Sequence, residues 1–271
     1  QFKQKDPNVN FVFLDETWLY QNGCPVKMWV HSTDLRGQPA EVKSEGKRFA
    51  VLHVGCSDGF LDGCTFFLDS NINDRDYHKT MSGSIFFKWV KDQLIPALNK
   101  LPKKSVIVMD NPPYHCIRAE KSPTSSSKKG VLQCWLRKNN ILFNDKATKR
   151  KLLSTIKPIL DHSVKKYVVD ELLIANGYSV LRLPPYHCQY NPIELMWGYC
   201  KTYYNRRINS LSGKDRTSAL WSTPLNNCDS DMWRNAIKHC EDLIDQDWKK
   251  LMGNFPVKDI PPFRINLEES D

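Results

Sequence analysis

Three acidic residues stand in settings that suit chemistry. Phe11-Val-Phe-Leu14 is an apolar run that meets Asp15, and Val106-Ile-Val-Met109 meets Asp110 in the same way. Both runs have the length and composition of buried β-strands, so each carboxylate is expected at a strand end. A helical pattern lies between them. If the two strands are parallel neighbours, both acids emerge at the carboxyl edge of the sheet, where α/β folds hold ligands. Carboxylates brought together repel unless a cation lies between them, and oxygen-only ligands suit Mg²⁺ or Mn²⁺. A third acid is then wanted, and Glu194 offers one in the first turn of a helix that opens Asn191-Pro-Ile-Glu194. There Glu194 shares a face with Gly198 and Lys201, while Ile193, Trp197, Cys200 and Tyr204 turn to the core. Taken singly, each acid also has a plain structural reading. An Asp at a strand end forms turns, and Asn191-x-x-Glu194 fits a capping box.

The chain that must position these acids has 271 residues, of which 41% are apolar. That suits one large domain or a domain with a sizeable insertion, and it excludes disorder throughout. The longest apolar runs fall far short of the roughly 18 residues that cross a bilayer, so no transmembrane helix and no membrane partner are expected. The chain opens without Met or an apolar leader, which reads as a segment of a longer protein, with residues 1–10 a linker from an N-terminal region. Nine cysteines include no Cys-x-x-Cys pair, which fits a reducing compartment and argues against a zinc ribbon. Pro-Pro-Tyr-His-Cys occurs twice, and His115, Cys116, His187 and Cys188 would suffice in number for zinc. Adjacent ligands are awkward for one tetrahedral ion, so that reading is not favoured.

Short β-rich runs dominate the first third: Phe11 to Leu14, Val26 to Val30, Phe49 to Val54 and Cys64 to Leu68. A helix is expected from Gly83 to Asn99, then a strand from Ser105 to Met109. Glu120 to Gly130 is polar with almost nothing to bury and reads as a mobile loop. Helices are expected near 131–139, 147–160 and 163–176, a strand at Tyr178 to Leu183, and further helices at Pro192 to Asn205 and 231–251. The net charge of +9 is unevenly placed: residues 100–166 hold 16 Lys and Arg against four acids, and the remainder is slightly acidic. Such a cluster suits a polyanion, nucleic acid above all, although a solvated lysine surface explains it too.

Phe-Leu-Asp15-Glu-Thr17, Val-Met-Asp110-Asn-Pro-Pro-Tyr-His115 and Leu183-Pro-Pro-Tyr-His-Cys-Gln-Tyr-Asn-Pro-Ile-Glu194-Leu-Met-Trp197, in this order, resemble the catalytic domain of mariner-superfamily DDE transposases. The resemblance covers roughly residues 10–205. It implies an α/β, RNase H-like mixed sheet flanked by helices, with a catalytic domain over 11–205 and a C-terminal helical extension, 206–271, packed on it. It also implies that Asp15, Asp110 and Glu194 hold two Mg²⁺ ions, Mn²⁺ substituting, for hydrolysis at transposon ends and strand transfer into target DNA. The partners implied are DNA and a second copy of the chain on that DNA, and the location is the nucleus. A domesticated relative that binds DNA or chromatin without cutting is the alternative, and an integrase or ribonuclease H of the same fold fits the motifs less well. Two departures stand out. A basic, mainly helical insertion of about 117–176 widens the gap between the second and third acids to 83 residues, and His187-Cys188 replaces the family's usual Ser-Pro.

Around the acids, Asn111, His115 and His187 are candidates to support the carboxylates or contact phosphate. Lys201, two turns from Glu194, suits a phosphate or plain solvent equally. Lys128, Lys129, Arg137, Lys138, Lys149, Arg150 and Lys151 are expected to grip DNA backbone rather than read bases. Trp135, Trp197, Tyr203 and Tyr204 have the chemistry to stack on unpaired bases, but core packing suits most of them better.

Overall fold

Eleven extended residues form β1 (Asn10–Tyr20), and the rest of the sheet is assembled on both of its edges. The computed structural model describes residues 9–23, 46–69, 81–102, 104–120, 122–163, 165–208 and 214–254; the strand expected at Val26 to Val30 and nearly all of the expected linker lie outside them. On one side of β1 run β2 (Arg48–Cys56), β3 (Gly59–Phe60) and β4 (Phe66–Asp69), all joined antiparallel. On the other run β5 (Ser105–Met109) and β6 (Ser179–Arg182), both parallel. The order β3-β2-β1-β5-β6, with β4 also on β2, is the expected mixed sheet. The parallel half needs crossovers, and helices supply them.

Before β5 comes α1 (Gly83–Trp89), which passes through a π turn at Val90–Leu94 into α2 (Ile95–Leu98). Pro96 has no N–H to return to Asp92, and the Ile95 N–H bonds to the Val90 carbonyl. Between β5 and β6 lie α3 (Lys129–Lys138), α4 (Lys149–His162) and α5 (Val168–Ala175). After β6 follow α6 (Ile193–Asn205), α7 (Lys214–Asn227) and α8 (Ser230–Asn254). The Glu120 to Gly130 stretch is not simply a polar loop. Thr124 and Ser127 close a turn by mutual hydrogen bonds, Pro123 is buried, and α3 already begins at Lys129.

Alternation along the central strands divides the core in two. Val12, Leu14, Ile107 and Met109 face α1 and α2, meeting Phe86, Trp89, Leu94 and Leu98. Phe13, Val51 and Val108 face the opposite way, onto Trp197 of α6, Trp221 of α7 and Trp233 of α8. Gly55 on β2 admits Trp233: a Cβ there would meet the indole at 2.2 Å. The insertion has a third core of its own, Leu132, Leu136, Leu152 and Ile156, between α3 and α4. No helix of the described residues is long and apolar enough to cross a membrane.

Candidate active site

The parallel register between β1 and β5 pairs Phe13 with Val108. Continued two residues, it sets Asp15 beside Asp110 at the carboxyl edge of the sheet. β1 does not end at Asp15 as the apolar run suggested. Its parallel partner stops, but pairing with β2 continues through Asp15 opposite His53 to Tyr20 opposite Arg48. Asp15 is therefore held by a strand, while Asp110 leads into a loop.

Alternation sends Asp15 and Glu16 to opposite faces. Asp15 turns to the α6 side, where its Oδ2 accepts a 3.1 Å hydrogen bond from the Trp197 indole N–H. Asn191 donates its side-chain amide to the Leu14 carbonyl at 3.1 Å, pinning the start of α6 to β1. That use displaces the expected capping box: no side chain caps α6, and Glu194 projects outward from its first turn. Ile193, Trp197, Cys200 and Tyr204 are buried as their spacing required.

Asp15 and Glu194 both sense the neighbouring acids. Burial pushes the Asp15 carboxyl well above its ordinary range, and the negative charges of Glu194, Glu16 and Asp110 push it further. Glu194 is raised as well, by burial and by Asp110, against the pull of Lys201. Asp15 and Glu194 both feel the charge of Asp110, and carboxylate oxygens brought together in this way are the hard ligands that a divalent cation takes.

Behind the acids lies a charged pair that sequence reading did not identify as one. Glu16, on the α1 face of β1, is buried and bonds through Oε1 to His115 Nε2 at 3.0 Å and through Oε2 to the Tyr114 hydroxyl at 3.3 Å. The other imidazole nitrogen, Nδ1, is 3.1 Å from Asp110 Oδ1 and 3.4 Å from the Asp110 carbonyl. Burial alone would lower the His115 pKa, but Glu16 together with Asp110 outweighs it and lifts the value to about 9. His115 is thus an imidazolium between two carboxylates. Glu16, Asp110 and His115 offer ligand atoms within 4.8 Å of one another, and the proton on the ring makes them an ion-pair network. The signal available in sequence was a carboxylate one residue past Asp15 in a buried strand, which period-2 geometry sends to the opposite core where it must find a cation.

Arg182, at the end of β6, was also missed. It donates to the carbonyls of Asp110 and His115 at 3.1 and 3.0 Å and forms a 2.6 Å ion pair with Asp170 of α5. Asn111 spends its amide on the Leu183 carbonyl at 2.6 Å, joining the loops after β5 and β6. Lys201 lies 4.5 Å above the Trp18 ring and near Glu194. His187 is turned to the Pro185 carbonyl at 2.7 Å and packs on Tyr190, along a groove shared with Ile244 and Trp248. Cys116 lies 3.6 Å from Arg182, and His115 is engaged by Glu16, so the four zinc candidates do not gather round one ion. Trp197 and Tyr204 are core residues, Tyr203 carries the Arg207 guanidinium, and Trp135 packs on the insertion's own core.

Among solved structures, a Mos1 transposase paired-end complex with left transposon end matches 93% of this chain and 57% of its own chain at 14% identity and TM-score 0.53. The Mos1 strand transfer complex gives 97%, 58%, 14% and 0.51. A Mos1 mariner paired-end complex with Mn gives 91%, 58%, 13% and 0.50. The chain thus spans somewhat under three fifths of these proteins, and likeness at this identity shows the fold, which is RNase H-like. No curated protein matches the chain. A model of the DDE superfamily endonuclease family matches residues 10–215, from the first residue of β1 past the end of α6, with Asp15, Asp110 and Glu194 all inside it. The chain belongs to the DDE superfamily endonucleases.

Proposed function

We propose that this chain is the catalytic domain of a DNA transposase, in which Asp15, Asp110 and Glu194 hold two divalent cations, Mg²⁺ with Mn²⁺ able to substitute. The observation that carries the reading is the meeting of three carboxylates from β1, the loop after β5 and α6 at one sheet edge, where the charge of Asp110 raises both Asp15 and Glu194. Divalent cations held by these carboxylates would supply activation of a water or a 3′-hydroxyl and neutralisation of the leaving oxygen in an in-line displacement. The chain's own residues set the geometry for this. Trp197 fixes the Asp15 carboxylate, His115 and Arg182 fix the turn that carries Asp110, and Asn191 locks the Glu194 helix against β1. With both hydrolysis and strand transfer served by one site, the substrates are transposon ends and target DNA. Paired-end work calls for two copies on DNA, and chromosomal DNA as the target places the protein in the nucleus.

The test is strand transfer of a short duplex with a free 3′-hydroxyl into plasmid, together with plasmid nicking, in Mg²⁺ or Mn²⁺. Activity is expected for the wild type and a loss of about a thousandfold or more, some 4 kcal/mol of barrier, for Asp110→Asn and Glu194→Gln. Tight DNA binding with no cutting by the wild type would establish the domesticated alternative instead.

A further inference from the structure

The insertion between β5 and β6 is built as a separate body on a narrow neck. Its entry and exit strands meet at the bridge between Arg118 and Tyr167, where Ala119 N–H bonds to the Lys166 carbonyl at 3.0 Å and Val168 N–H to the Ile117 carbonyl at 2.9 Å. Beyond the neck, α3 and α4 pack on each other around Leu132, Leu136, Leu152 and Ile156, with Trp135, Ile141, Phe143 and Leu160 around them, and none of these side chains enters either core of the sheet. Residues 119–166 contain 12 Lys and Arg against three acids, a formal +9, which equals the charge of the whole chain and leaves 27 of each sign in the remainder. The entire net charge of the molecule is thus carried by one small, independently cored module.

Its cations are of two kinds. Arg137 is paired with Asp145 at 2.6 Å, and Lys138 with Glu120 at 3.1 Å. Lys149, Arg150 and Lys151 follow one another as exposed residues in the first turn of α4, with Lys146, Lys128 and Lys129 also exposed, and among the described residues no acidic side chain pairs with any of the six. Consecutive free cations with no exposed aromatic platform suit a row of phosphates rather than unstacked bases.

We infer that the 119–166 module is an autonomous clamp for the phosphate backbone of duplex DNA, gripping through Lys149, Arg150 and Lys151 and supplying most of the chain's salt-dependent affinity. It stands close to the chemistry in the covalent structure. The neck begins in the same loop that carries Asp110 and His115, and Arg182 ties that loop to Asp170 on the helix returning from the module. Duplex held by the clamp is therefore tethered through a stapled joint to the loop of a metal-holding acid. The inference rests on the transposase reading for its choice of DNA as the polyanion, and its test separates the two.

Duplex affinity is measured across a salt series for the wild type, for a variant in which a Gly-Ser turn replaces 119–166, for K149Q/R150Q/K151Q, and for R137Q/K138Q. The Mn²⁺-induced rise in unfolding temperature is followed in parallel. By removing three phosphate-binding cations, K149Q/R150Q/K151Q should flatten the dependence of log affinity on log salt by about 2.7. The deletion should flatten it further while retaining the wild-type Mn²⁺ response, and R137Q/K138Q should change it less than the triple substitution. Wild-type affinity and slope in the triple variant overturn the clamp, as does a slope in R137Q/K138Q that falls as far as in the triple variant. Should the deletion variant prove unfolded, the triple variant, confined to exposed side chains, decides alone. Failure of the transposase reading shows elsewhere: the wild type then lacks an Mn²⁺ response and strand transfer, whatever its salt slope.

Discussion

The Glu16–His115 pair sets a cost that a single substitution reveals. Both side chains are almost wholly buried, so removing one leaves the other as an unpaired charge in an apolar setting. His115→Ala is expected to cost about 3–5 kcal/mol of unfolding free energy, read by urea titration, while Glu16→Gln with His115→Gln, neutral on both sides, recovers much of it. If the single and the double variants are equally unstable, the pair is not what holds the site. Trp197→Phe keeps an aromatic ring but removes the N–H that fixes Asp15, so strand transfer should fall with little loss of stability. The three acids were singled out because each sits inside a distinctive motif. Glu16 and His115 lay in those same motifs, yet nothing in a linear string shows that residues 99 apart share a proton. Arg182 was hidden likewise, since its partners are two backbone carbonyls and a carboxylate on another element.

At the scale of elements, the two central strands were legible from their apolar runs, and the error at Asp15 has a simple origin. The apolar run stops at Leu14 because β1 loses its parallel neighbour there, while antiparallel pairing with β2 needs no further run of aliphatic residues and carries the strand on. α7 was not anticipated, since its polar sequence around Thr217, Trp221 and Leu225 gives a weak stripe and Pro224 lies within it. β2 contributes a pH dependence. His53 Nδ1 lies 2.8 Å from the Val54 nitrogen and 3.1 Å from the Val54 carbonyl, and Nε2 lies 2.9 Å from Thr65 Oγ1; burial drives the His53 pKa down to about 3. The folded state keeps this imidazole neutral, whereas the unfolded chain protonates it near 6.5. Its contribution is whole above that pH and shrinks by about 1.4 kcal/mol per unit as pH falls from 6.5 towards 3. A His53→Gln variant should therefore show a shallower loss of stability between pH 6.5 and 4.5, and an unchanged slope would contradict the assignment. Gly55→Ala is expected to cost several kcal/mol, because the Trp233 indole must move off β2 to admit the methyl group.

For the whole molecule, one sheet supports two buried faces and one edge carries the acids. The alternation of strands and helices was legible from periodicity, while the RNase H-like class and the insertion came from the resemblance carried by the motifs around Asp15, Asp110 and Glu194. The packing of α7 and α8 was not, for it depends on which tryptophans meet. Trp221 lies 6.0 Å from Trp197, and Trp233 meets Phe60 edge to face at 5.0 Å, so the helix bearing Glu194 is backed by the C-terminal helices. Ending the chain at residue 205 uncovers Trp197 and Gly55 together, and a broadened thermal transition with dye-binding apolar surface is the expected result. A sharp, wild-type transition would mean that the C-terminal helices do not support the site. The central claim, that Asp15, Asp110 and Glu194 form one divalent-metal site, is tested most directly by thermal unfolding across an Mn²⁺ titration of the wild type, Asp110→Asn and Glu194→Gln. The wild type should gain about 2.7 kcal/mol at a hundredfold excess over its dissociation constant, and the two variants little or nothing. An equal response in all three proteins, or none in the wild type, would contradict it.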